Sequence, residues 1–510
     1  MNRRLAGLQL GLFGLFLVLP VGVLIALGPP APYVYGRAQT EWPPISHLLA
    51  FEPEARQAFA TALLDRLAVR RETIRLRNTL TWSATGSIDR EKVVSGAPGW
   101  LFYKPAFAAW DCERHGRLDR GLHRLALLTE LAAANDLPLV IANAPNKAAI
   151  ARDQSGGRAD LYSACFYAYE ARARRRFADL DSAHFIDHAP GLLEREGEED
   201  TYLPTDTHWT RRAAYAAFED LLRETALDRE APPKPKPDTT EKISDLGNQI
   251  LLVGAPLEDP SYAATSIEAR AVGEGVVVIH DSFYQEAPDL LDAMLPGVRR
   301  VNVNFPEFSS IDLREAEHVV LESAERAILS RVLDHGFFGW HSRVGRWLLD
   351  GMDRAAASCR WTESRDLTAG AERSSLSLEA DGSMQADGPA PKLFVSLPEI
   401  SGDATCLRLT LSSQAPVHPR QVARLYLDAK QVRIAPEDRV FEFVHGRTVE
   451  LRYGRRRDGT AADRLAFVLP ASAAGRRIRI DFQELPADAR LGAIEVAPRF
   501  GAAPARSANP

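Results

Sequence analysis

A chain of 510 residues is too long for one hydrophobic core, so two or three domains are expected. Its 45% hydrophobic content permits ordinary globular packing. A net charge of −6 leaves no basic footprint, which excludes nucleic acid as the expected partner.

Residues 5–27 are almost wholly apolar and carry no charge. About 20 such residues span a bilayer core. Arg3 and Arg4 precede the run, which predicts a cytoplasmic amino terminus and a globular remainder beyond the membrane. The expected state is a single-pass anchor over residues 1–28 in the inner membrane, with the rest in the periplasm. A cleaved signal peptide is the competing reading, and Gly28-Pro29-Pro30 is a poor cleavage context. The four cysteines show no CxxC or metal-ligand spacing. Two disulfides, Cys112–Cys165 and Cys359–Cys406, are expected in an oxidising compartment, against the alternative of four buried thiols.

A tether and helical linker fill residues 29–94, with a helix over 54–79. From residue 95 strands and helices alternate. Short strands are expected at 99–103, 137–142 and 184–187, with helices at 117–135, 168–180 and 210–225, the last capped by a threonine. Residues 231–237 read as a Pro/Lys loop. The β-branched run 275–279 reads as a strand buried on both faces, followed by a helix over 286–294. Further strands fall at 299–304 and 318–322. This alternation predicts a doubly wound α/β domain with a mostly parallel sheet over 95–355. After residue 360 helical periodicity gives way to short strands, including 393–397, 406–411, 440–444, 465–469, 478–482 and 491–496, which predicts an antiparallel β-sandwich over 360–500. Residues 501–510 read as a disordered tail.

Three residues can supply acyl-transfer chemistry. Asp206 precedes His208 by two positions in an extended turn, so their side chains share one face. The carboxylate can accept the Nδ1 proton and leave Nε2 free as a base, which a serine hydroxyl needs near neutral pH. Ser282 follows the buried strand 275–279, at the strand end where α/β sites form, with backbone N–H groups available to an oxyanion. Taken singly, Ser282 reads equally as a helix cap, His208 as a core histidine and Asp206 as a capping carboxylate. His280 and Asp281 read as turn-shaping residues. There is no GxSxG elbow, HExxH helix or GxxxxGK[ST] loop, so no metal and no cofactor are implied.

Thr205-Asp206-Thr207-His208-Trp209 resembles the Asp-x-His-Trp motif of the SGNH-hydrolase-like alginate O-acetyltransferase family, of the AlgX/AlgJ type. Gly99-Trp100-Leu101-Phe102, Pro145-Asn146-Lys147, Ser244-Asp245-Leu246 (serine standing where the family has glycine), Asp281-Ser282-Phe283 and Glu322-Ser323-Ala324-Glu325-Arg326 are similar to family segments in the same order. The resemblance covers roughly residues 95–330. It implies an SGNH-hydrolase-like fold, with Ser282 as the acetylated nucleophile, His208 as general base and acid, and Asp206 as orienting carboxylate. Lys147, Asn146 and Tyr103 are implied to contact substrate. The implied reaction moves acetyl to hydroxyls of an exported polysaccharide, with a membrane-bound O-acyltransferase as donor. The sandwich is then a possible carbohydrate-binding module, or a structural one. A carbohydrate acetylesterase and a non-catalytic assembly scaffold with a remnant site are the competing readings.

Overall fold

The computed structural model describes residues 40–499 apart from internal stretches, the longest being 109–114, 226–234, 251–256, 334–342, 413–421, 428–447 and 451–461. The apolar run 5–27 lies outside the described residues except for Gly14, Val18 and Gly22, as do the tail 501–510 and the strand expected at 440–444. Among the described residues no helix is long and apolar enough to cross a membrane.

Two helices, Pro53–Arg66 and Ala68–Thr85, stand where one was expected. A small hairpin follows, β1 (Val93–Ser95) against β2 (Leu101–Tyr103). Gly99 makes its turn at φ +89°, a conformation that side-chain-bearing residues rarely adopt. The central sheet holds β3 (Leu139–Ala144) and β4 (Phe185–Asp187), and it continues after a separate antiparallel hairpin of β5 (Pro237–Lys242) and β6 (Leu257–Tyr262). Its other strands are β7 (Val276–His280), β8 (Arg299–Asn302) and β9 (His318–Ala324). The order is β4-β3-β9-β7-β8, and every pairing is parallel.

Side chains alternate across a strand, and each central strand feeds two cores. Leu139, Ile141, Val277, Ile279, Val319 and Leu321 pack on one face with Leu125 and Ile328. Val140, Val276, Val278 and Val320 pack on the other with Phe218, Leu222 and Leu290. Helices therefore cover both faces, and a continuous apolar run was the correct signal for such strands. The strand expected at 137 starts at Leu139, since Pro138 lacks an N–H for the ladder. The helix expected from 286 begins at Pro288, whose missing N–H suits a first turn, and residues 284–286 form a separate 3₁₀ turn.

The β5–β6 hairpin was not expected. Its strands, Pro-Asp-Thr-Thr-Glu-Lys and Leu-Glu-Asp-Pro-Ser-Tyr, are too polar to show a strand period. It packs on the helix Arg211–Glu224, with the Tyr215 and Tyr262 rings 4.9 Å apart.

After residue 360 the described strands form two larger antiparallel sheets, of four and five strands, and a two-stranded hairpin of Leu376–Leu378 with Met384–Ala386. Leu393, Val395, Ile478 and Ile480 of one, and Leu407, Leu409, Ile494 and Val496 of the other, belong to one buried cluster. Cys359 and Cys406 are disulfide-bonded, as expected. Cys165 is also disulfide-bonded, and Cys112, its expected partner, lies outside the described residues. Asn135 donates to the Val468 carbonyl at 3.0 Å, joining the α/β domain to the sheets that follow.

Candidate active site

The loop 201–210 closes on itself before the helix Arg211–Glu224 begins. The Thr210 N–H donates to the Thr201 carbonyl at 2.9 Å, and the Thr210 hydroxyl accepts from the Ala213 N–H as the helix cap. Inside this loop Asp206 is fully buried. Its Oδ1 accepts from the His208 backbone N–H at 2.9 Å and, with the imidazole proton on Nδ1, from the ring at 3.1 Å. Its Oδ2 accepts from the Asp245 N–H at 3.1 Å. Burial alone would raise the Asp206 carboxyl, but the His208 hydrogen bond and the nearby Lys242 charge hold it well below the usual carboxylate range. Burial pushes the His208 imidazole down, and the bond to Asp206 with the charges of Glu286 and Asp245 outweighs it, so its pKa stands above the ordinary 6.5.

Trp209, fully buried, fastens this loop to the nucleophile turn. Its indole N–H donates to the Phe283 carbonyl at 3.0 Å. Arg211 adds a bond to the Glu286 carbonyl at 2.8 Å and pairs with Asp289 at 2.7 Å. Ser282 is half-buried just past β7, and the ring of Phe283 meets the His208 ring edge-on at 5.1 Å. The structure thus brings Ser282 to the neighbourhood of His208. Among the described residues no hydrogen bond joins the two side chains.

Asp281 shapes the turn rather than serving as a second dyad. Its Oδ1 accepts from the Phe283 N–H at 3.0 Å, and its Oδ2 accepts from the Ala324 N–H at 2.7 Å and from Arg331 at 2.9 Å. His280 bonds to the Asp281 carbonyl at 2.7 Å. Beneath them Glu322 is fully buried and accepts from the Asp281 N–H at 2.9 Å. Burial and the Asp281 charge push its carboxyl well above the normal range.

The residues expected at the substrate have mixed placements. Asn146 is buried at the end of β3. Its N–H donates to Glu325 at 2.9 Å, its Oδ1 accepts from Arg326 at 3.4 Å, and its Nδ2 has no partner. Tyr103 is half-buried, with the Arg326 guanidinium 5.2 Å from its ring. The same guanidinium lies 5.3 Å from the Phe283 ring, so Tyr103, Asn146, Arg326 and the nucleophile turn share one surface. Lys147 differs from expectation. It is 4% exposed, and its ammonium donates to the carbonyls of Leu101, Leu203, Pro204 and Asp206 at 2.7–3.0 Å. Burial pushes it down to about 7. With every N–H taken by the protein, Lys147 braces β2 against the loop carrying Asp206 and has no donor for a ligand.

Sequence reasoning missed Lys242 and Glu286. The Lys242 ammonium sits 3.2 Å from Asp206 and 2.6 Å from Glu286, and Glu286 Oε1 is 3.2 Å from His208 Nδ1. Lys242 ends an unexpected hairpin, and Glu286 follows the nucleophile in what looked like an ordinary helix start. No motif pointed to either. Asp245 and Arg326 were visible only inside segments of the resemblance. Asp206, His208 and Asp245 place ligand-type atoms within 4.8 Å of one another, but the Lys242 ammonium supplies the positive charge of that cluster.

A parallel sheet covered by helices on both faces, with a serine turn at the carboxyl end of β7 and an Asp–His pair packed beside that turn, is a doubly wound α/β domain with its candidate site where such sites form. Residues 93–270, about a third of the chain, match the model of the family described as the SGNH hydrolase-like domain of the acetyltransferase AlgX. The match takes in Tyr103, Asn146, Lys147, Asp206 and His208 and ends before Ser282. Among solved structures the chain is similar to the O-acetyltransferase domain of Pseudomonas putida AlgJ, at 20% identity over 47% of this chain and 93% of that one, with a TM-score of 0.31. It is similar to Pseudomonas aeruginosa AlgX at 13% identity, over 79% and 90%, with a TM-score of 0.30. Bacillus cereus PatB1, solved with a sulfonyl adduct, is similar at 12% identity, over 48% and 97%, with a TM-score of 0.33. No curated protein matches the chain.

Proposed function

We propose that this chain is a periplasmic O-acetyltransferase that moves acetyl groups to hydroxyls of an exported polysaccharide through an acetyl-serine at Ser282. The hydrogen bond between Asp206 and His208, beside the turn that carries Ser282, is the observation that supports this reading most. With Nδ1–H held by Asp206, Nε2 is the basic nitrogen. It takes the Ser282 proton as Oγ attacks the acetyl carbonyl, and returns it to the donor's leaving oxygen as the tetrahedral intermediate collapses. A sugar hydroxyl then repeats the sequence in reverse and carries the acetyl away. General-base help of this kind contributes about 10²–10⁴ in rate. The unpartnered Nδ2 of Asn146 and the backbone N–H of Ser282 are the candidate donors to the developing oxyanion.

In the same reading residues 5–27 anchor the chain in the inner membrane, and a membrane-bound O-acyltransferase delivers the acetyl group. The Cys359–Cys406 disulfide supports an oxidising compartment. The two antiparallel sheets after residue 360 act as a sandwich that holds the polymer near the cleft. The test is acetyl transfer from an aryl acetate to an oligosaccharide, read by mass. A gain of one C₂H₂O unit per acetyl that disappears in Ser282→Ala supports the reading. Release of acetate with no sugar product would make the protein an esterase, and activity surviving Ser282→Ala would remove Ser282 as nucleophile.

A further inference from the structure

His208 Nδ1 faces more than one carboxylate. Asp206 Oδ1 accepts its hydrogen bond at 3.1 Å, and Glu286 Oε1 lies at 3.2 Å. Two carboxylates so close on one edge of an imidazole repel each other unless a cation stands between them. Lys242 is that cation, 3.2 Å from Asp206 Oδ1 and 2.6 Å from Glu286 Oε2.

Each member of this group is fixed by its own element. Lys242 is paired to Leu257 at the end of the β5–β6 hairpin. The Glu286 backbone is tied to Phe283 at 3.2 Å and to Arg211 at 2.8 Å. Glu286 belongs to the same short turn as Ser282, four residues on. A contact from Glu286 to the imidazole therefore joins the base to the segment that carries the nucleophile.

We propose that Glu286 is a second positioning carboxylate for His208, held in place by Lys242, and that this pair keeps the base in register with the Ser282 turn. The proposal rests on the reading of His208 as the base. The groups that face His208 or its neighbours are Asp206 from its own loop, Asp245 from the helix Asp245–Gln249, Lys242 from β5 and Glu286 from the nucleophile turn. Asp259 of β6 and Lys147 lie one layer further out. The three carboxylates and one ammonium nearest the ring leave the cluster negative, which favours the imidazolium formed when Ser282 gives up its proton.

Glu286→Gln removes a negative charge beside the ring without changing its shape, and Lys242→Met removes the positive one. The experiment follows the His208 ring protons by NMR against pH in the full-length protein, and the pH dependence of aryl-acetate hydrolysis in parallel. Glu286→Gln lowers the His208 midpoint, Lys242→Met raises it, the double variant returns toward the parent, and Lys242→Arg stays near the parent. In Glu286→Gln, kcat falls about tenfold while KM changes less than about twofold, as for a group that acts through the base. Midpoints that do not move in either single variant, or that move in the opposite sense, overturn the proposal. A protein that turns over no ester fails the acetyl-transfer reading alone, because the NMR midpoints still decide whether Glu286 and Lys242 act on His208.

Discussion

The indole of Trp209 donates to the carbonyl of Phe283 at 3.0 Å, so the residue after the proposed base is fastened to the residue after the proposed nucleophile. Both rings are fully buried and meet edge-on at 5.2 Å. The tryptophan of the Asp-x-His-Trp segment thus sets the spacing between two parts of the site that lie about 70 residues apart in the chain. Trp209→Phe keeps an apolar ring but removes one of the two hydrogen bonds to the Phe283 carbonyl, leaving the one from the Glu286 N–H. One such hydrogen bond contributes about 0.5–1.5 kcal/mol net, so chemical denaturation of this variant will show a loss of that order. Its kcat on an aryl acetate will fall by more than the stability change alone explains, because the two segments lose their common anchor.

Lys147 gives a prediction with a definite sign. Its folded-state value near 7 lies below its ordinary value of 10.5. Between those values the unfolded chain holds a proton there that the folded chain does not, so folding stability rises with pH across that window and falls as pH drops toward 7. Lys147→Met lacks this dependence and also removes the ammonium from four carbonyls, of which Leu203 and Pro204 keep the backbone N–H donors of Asp206 and Leu101. The parent's stability relative to Lys147→Met will therefore grow from about pH 7 to pH 10 when both are unfolded in denaturant. Near pH 7 the variant will be less stable by about 1–3 kcal/mol, the cost of buried acceptors left unpaired.

The pH–rate profile carries the His208 shift. The base must be unprotonated to act, and its value stands above 6.5 because the Asp206 bond and the surrounding carboxylates outweigh burial. The acid limb of hydrolysis will accordingly lie above pH 6.5. Asp206→Asn removes a charge beside the ring and frees the tautomer, so the limb will move to lower pH and kcat will fall by about 10²–10⁴.

The Cys359–Cys406 bond closes a span of 47 residues between the helix Arg343–Ala356 and the strand Ala404–Ser412. A loop of that length predicts about 4 kcal/mol of stabilisation through the unfolded chain. Replacing both cysteines by serine will lower the melting temperature of the C-terminal sheets. Activity on a small aryl acetate will survive in the folded variant, since Ser282, His208 and Asp206, and Arg331 that braces Asp281, all precede the C-terminal sheets.

Much of the frame was legible because burial on two faces leaves a plain mark. The apolar run ending at His280 could be nothing but a core strand, and it fixed where Ser282 would stand. Asp206 and His208 were readable as a pair because two-residue spacing in an extended turn is enough to align them. Lys242 was not readable. It reaches the site on a polar hairpin whose sequence shows no period, and its importance comes from contacts across the fold. Lys147 was misjudged for a related reason: a lysine after a strand looks like a ligand contact until four backbone carbonyls are seen around it. Glu286 was hidden by Pro288, which starts the helix two residues later than the helical pattern suggested.

The central claim is that Ser282 carries the acetyl group. Brief incubation of the full-length protein with an aryl acetate, rapid quenching in acid, and mass analysis of the peptide spanning residues 276–286 tests it most directly. The account predicts a gain of one C₂H₂O unit on Ser282, absent in Ser282→Ala and accumulating more slowly in His208→Ala. Acetyl found on another side chain, or turnover that continues with Ser282 replaced by alanine, would contradict it.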